Sequence, residues 1–165
     1  MRQGLITLLQ FIGFALAQVL LFRQLTVGDI AFLHLHVLFL LFLPAAMRLS
    51  VGLLLAFAFG FAISTVDRPL AAHAFACVNL VVLRGWWMAV ITPGLSASRE
   101  PLDFSRQTPT WLVTYITPLV AVYELSYLPL ANLLFSWSIL ASILLSTLYT
   151  SAIGLMVVFL LYRRR

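Results

Sequence analysis

The chain has 165 residues, 63% of them hydrophobic and 9% charged, with a net charge of +5. Soluble domains run about half apolar and about a quarter charged, so these proportions exclude an ordinary soluble domain and point to lipid as the solvent. A basic balance can signal nucleic acid, but here every basic residue is Arg and most stand at the ends of apolar runs, which is membrane topology and implies no nucleic-acid partner.

A helix crossing the hydrocarbon core needs about 20 apolar residues. The length then fits about six crossings in one transmembrane helical domain over residues 1–165. The first predicted helix runs from Gly4 to Phe22. Ala15-Leu16-Ala17 looks like a signal-peptidase site, but the apolar run continues through Phe22, so an uncleaved helix is expected. The second runs from Ile30 to Ala46, the third from Ser50 to Val66, and Asp67-Arg68-Pro69 makes a tight turn. The fourth starts near Leu70 and is apolar to Leu83, where Arg84 interrupts it; Trp86 and Trp87 follow, and the segment continues toward Thr92 along the interface or across it. Residues 93–109 form one substantial loop, with Glu100 and Asp103 in solvent. The fifth helix runs from Thr110 to Leu128 and carries Pro118; the sixth runs from Leu133 to Tyr162, ahead of Arg163-Arg164-Arg165.

Counting Arg sets the orientation. With the amino terminus inside, eight Arg fall on the cytoplasmic side, and only Arg23 and Arg68 fall outside. Six crossings return the carboxy terminus to the cytoplasm. The expected fold is therefore all-α, a polytopic inner-membrane bundle with both termini in the cytoplasm.

Two stripes of small residues repeat every four positions. Gly52, Ala56, Gly60 and Ser64 share one face of the third helix; Ser138, Ser142, Ser146, Thr150 and Gly154 share one face of the sixth. Small residues let helices approach closely, and hydroxyls bond across them. Each stripe serves packing within the bundle or receives a partner's helix.

Ionisable residues inside a membrane are costly and are functional candidates. Glu124, His34, His36 and His73 all fall in the outer part of the bundle, with Arg68 at its border, and Glu124 is expected to pair with His73, His34 or Arg68. This cluster either fixes helix packing or forms a docking surface. A metal site is disfavoured, because His34 and His36 lie about 200° apart on a helix, whereas a helical zinc signature uses positions i and i+4. Arg84, near the inner interface, either snorkels to the headgroups or pairs with the 93–109 loop. Cys77 reads as a small packed residue. Without lysine there is no Schiff base or P-loop lysine, and no G-x-S-x-G, H-E-x-x-H or glycine-rich phosphate cradle occurs. No enzyme activity and no cofactor are expected.

The stretch from Leu53 to Arg84, LLLAFAFGFAISTVDRPLAAHAFACVNLVVLR, resembles the rod shape-determining protein MreD family, in particular its short Bacteroidetes-type members. Gly60, the His73-Ala74 pair and Arg84 carry the likeness, together with a glutamine-containing first helix (Gln10, Gln18) and the closing LLSTLYT and YRRR segments. The chain departs from the family at Ser64, where an acid is usual, at Ala71 or Ala72, where Gly is usual, and at Glu124, where His is usual. The resemblance implies a non-catalytic scaffold of the cell-wall elongation machinery. Such a scaffold binds the membrane-anchored periplasmic protein MreC, and through it RodA, a penicillin-binding transpeptidase and MreB. It also implies a bundle similar to the substrate-binding subunits of energy-coupling-factor transporters. Two other readings stand beside it. One is a vitamin-binding transport subunit using His34, His73 and Glu124. The other is an intramembrane enzyme with Glu124 or a His as acid or base.

Overall fold

The fold is seen in a computed structural model of the chain, which describes residues 13, 31–44, 47–65, 71–93, 104, 107–132 and 136–162. The described residues are helical, without strands: α1 (His36–Leu41), α2 (Leu49–Ser64), α3 (Ala72–Ile91), α4 (Pro109–Asn132) and α5 (Trp137–Tyr162). Three of them, α3, α4 and α5, are long and apolar enough to cross a membrane, as expected of a membrane protein. At 16 residues α2 is apolar but shorter. The predicted first helix, the Asp67-Arg68-Pro69 turn and most of the 93–109 loop lie outside the described residues.

Successive helices α2, α3, α4 and α5 pack on one another. Matched contacts show α3 antiparallel to both its neighbours. Gly52 meets Val81 while Gly60 meets His73 and Ala74, and Asn79 bonds Ser126 while Trp87 bonds Thr114. The α2 stripe explains the first pairing. Gly52, Ala56, Gly60 and Ser64 are all buried, and a Cβ at Gly60 would fall 2.6 Å from the Ala74 Cα and 2.7 Å from the His73 carbonyl oxygen. Only glycine allows the two backbones this approach. The opposite face of α2 presents Leu54, Phe57 and Phe61 outward.

The fourth predicted segment, left open beyond Arg84, is one continuous helix: α3 runs for 20 residues to Ile91. The second predicted helix differs from the structure: of the described residues between Ile30 and Ala46, only the six of α1 form an α-helix. Residues 32–34 are non-helical and lead into α1 through a tight turn, in which the Val37 N–H donates to the His34 carbonyl at 3.1 Å. From Leu33 to Leu41 every residue is buried. This segment forms the centre of the bundle. It touches α2 through the Phe39–Phe59 ring contact, α3 through the His36–His73 ring contact, α4 through bonds to Tyr123 and Tyr115, and α5 where Leu38 covers Gly154. A uniformly apolar run has no side that prefers water, so periodicity cannot separate such a segment from a buried helix.

An irregular backbone is tolerated at this depth only where protein covers it. The covering hydroxyls come from the α5 stripe. The Phe32 N–H donates to Ser146 Oγ at 2.9 Å and the His34 N–H to Thr150 Oγ1 at 3.2 Å. Thr150 returns a bond to the Phe32 carbonyl at 3.4 Å. The stripe thus divides: Ser146, Thr150 and Gly154 are buried against the central segment, whereas Ser138 is exposed and Ser142 bonds back to its carbonyl at 3.0 Å.

Proline shapes α4 as well. Pro118 has no N–H, so the Thr114 carbonyl one turn earlier loses its helical donor. The Trp87 indole N–H takes that place at 2.9 Å.

Candidate functional site

The central segment is held by polar side chains at both ends. At its beginning, His34 Nδ1 donates to Glu124 Oε1 at 2.8 Å, and both residues are buried. Of the partners expected for Glu124, the structure selects His34; Arg68 lies outside the described residues. Glu124 is itself fully buried, and its Oε2 meets no hydrogen-bond donor among the described residues. A buried carboxyl group requires a hydrogen-bonding partner, and His34 supplies one.

One residue along α4, the Tyr123 hydroxyl lies between two further histidines, 2.8 Å from His36 Nε2 and 2.5 Å from His73 Nδ1. A phenol has one proton. It therefore donates to one imidazole and accepts from the other, which couples the tautomers of His36 and His73. Tyr127 closes the cluster, stacking on the His73 ring at a centroid distance of 4.1 Å. The arrangement can hold helices in register and can move a proton between two imidazoles through a phenol.

The separation expected for His34 and His36 is thus corrected. Because His34 precedes α1 on non-helical backbone, the two rings are not on opposite helix faces; their centroids are 5.6 Å apart, and each lies 5.2 Å from Tyr123. His73 completes the triangle at 5.9 Å from His34 and 5.4 Å from His36. Even so, no group of three His, Cys, Asp or Glu among the described residues is arranged to hold a metal ion. His34, His36, His73 and Glu124 are each buried.

The far end of the segment is capped by Arg84. Its Nε donates to the Tyr115 hydroxyl at 2.8 Å, and its Nη2 donates to the Leu43 carbonyl. Tyr115 in turn donates to the Leu41 carbonyl at 2.8 Å. The last carbonyls of a helix lack intrahelical donors and carry partial negative charge, so a guanidinium and a phenol satisfy the end of α1. Arg84 is only 7% exposed. The sequence predicts that it snorkels outward or pairs with the loop; the structure turns it inward to the Leu43 carbonyl and the Tyr115 hydroxyl, so it does not snorkel, while the loop acids Glu100 and Asp103 lie outside the described residues.

Sequence reasoning alone misses Tyr115, Tyr123 and Tyr127, although a signal is there. They stand on one α4 face at multiples of four residues, and a phenol inside an apolar helix needs a polar partner. Cys77 is buried against the core as expected. Compared with known protein families, with curated proteins and with solved structures, the chain matches none.

Proposed function

We propose that this protein is a non-catalytic inner-membrane scaffold of the bacterial cell-wall elongation machinery, crossing the membrane six times with both termini in the cytoplasm. In this reading it binds an MreC-type periplasmic scaffold and, through it, RodA, a penicillin-binding transpeptidase and MreB filaments. Its bundle would be similar to the substrate-binding subunits of energy-coupling-factor transporters.

The supporting observation is that the residues behind the MreD resemblance act as one packing unit. Gly60 is pressed against the His73-Ala74 peptide, His73 joins the Tyr123 network, and Arg84 ends the central segment. A motif whose residues each hold the same bundle together suits a protein that works as a rigid frame. The outward aromatic pair Phe57 and Phe61, with ring centroids 6.1 Å apart, leaves an ordered apolar face on α2 for lipid or a partner's helix.

The test is co-expression with the MreC-type protein of the same host, followed by purification in mild detergent. The expected result is a stoichiometric complex that survives gel filtration. A well-folded chain that elutes without that partner would remove the reading, and a rise in melting temperature with a vitamin would then favour a transport subunit.

A further inference from the structure

A buried cation is stable when a counter-charge or several hydrogen bonds replace its water. Among the described residues Arg84 bonds two neutral acceptors, the Tyr115 hydroxyl and the Leu43 carbonyl, and its side chain also lines a cavity.

Beside Arg84 lies a cavity of about 320 Å³ between the start of α2 and the last turns of α3, lined by Leu43, Arg48, Gly52, Val81, Arg84 and Trp86 among others. It brings two guanidiniums to one space, since Arg48 is exposed at its rim and Arg84 is buried within its wall. No acid stands in the first turn of α2, and no side chain caps that helix. The positive end of its backbone is therefore not neutralised where it borders the cavity. Trp86, 64% exposed, lines the cavity, with Trp87 and Trp111 at the same end of the bundle; tryptophans gather where a membrane's headgroups begin. Leu49 and Val82 also line the cavity and are themselves exposed, so apolar surface continues outward from it.

We propose that this cavity binds the phosphate headgroup of an anionic phospholipid, with Arg48 and Arg84 as its cationic contacts and the acyl chains lying along Leu49 and Val82. Guanidinium matches a phosphodiester with paired hydrogen bonds, and the apolar rim selects a lipid over a free anion. The inference does not rest on the scaffold reading; it requires only that this end of the bundle meets a membrane.

The test is thermal unfolding of the full chain in mild detergent with added phosphatidylglycerol, phosphatidylcholine or inorganic phosphate. Phosphatidylglycerol should raise the melting temperature, and the other two should not. Arg48→Gln, an exposed change, should raise the phosphatidylglycerol concentration needed by about tenfold. Val82→Trp, which obstructs the mouth and keeps both arginines, should do the same. The proposal is overturned if phosphatidylcholine stabilises equally, if inorganic phosphate alone reproduces the effect, or if either variant responds to phosphatidylglycerol like the wild type.

Discussion

The two ends of the central segment meet the same requirement with opposite chemistry. At both, polar groups are surrounded by apolar helices and need partners. At the His34 end, acid faces base: Glu124 lies against His34, and Tyr123 ties His36 to His73. This is the closed end, where polar side chains pair with one another inside the protein. At the Leu43 end the Arg84 guanidinium bonds the Leu43 carbonyl and the Tyr115 hydroxyl, both neutral, and lines a cavity. Polar side chains paired with one another hold helices in register. A cation at the wall of a cavity responds to an anion that enters it, and this is the open end.

Breaking the closed end should have the largest effect. His34→Ala leaves the Glu124 carboxylate buried without its base, at a cost of about 3–5 kcal/mol, seen as a lowered thermal midpoint in detergent. Adding Glu124→Leu should recover much of that loss, since no buried charge then remains. If the double variant loses the sum of the two single losses, the pair is not coupled.

At the open end a smaller loss is expected. Arg84→Met removes a charged donor from the Leu43 carbonyl and from Tyr115, worth about 2 kcal/mol. Unlike the loss at the closed end, it should grow when phosphatidylglycerol is added, because the wild type gains from the lipid and the variant does not. Equal growth at both ends would erase the distinction between them.

Smallest of all, Trp87→Phe keeps the aromatic bulk and takes the indole donor from the Thr114 carbonyl that Pro118 left without one. It should cost about 1 kcal/mol. In the double variant Trp87→Phe/Pro118→Ala most of this should return, since the second substitution restores a backbone N–H to the helix.

Much of the fold was legible because it depends on local pattern. The apolar runs of α2 to α5 follow from composition, and the small-residue faces follow from spacing. The α2 stripe was readable as a packing face, and the structure shows its neighbour to be α3. The company of Glu124 was readable because so few ionisable residues share its depth. The shape of residues 30–46 was not legible. The non-helical backbone at His34 depends on hydroxyls at Ser146 and Thr150, more than 110 residues away in the chain, and no local preference encodes them. The inward turn of Arg84 depends on where α1 ends, which is equally non-local.

By itself, then, the sequence determined the solvent, the positions of the long helices and the identity of the rare polar groups, because hydrophobic content and periodicity act within a few turns of chain. Only the tertiary structure decided that a non-helical segment fills the centre, that two histidines meet one tyrosine, and that Arg84 closes α1 beside a cavity. Each of these is a buried polar group finding its partner, and in an apolar interior that partner is whatever folding brings within hydrogen-bond reach, however distant in sequence.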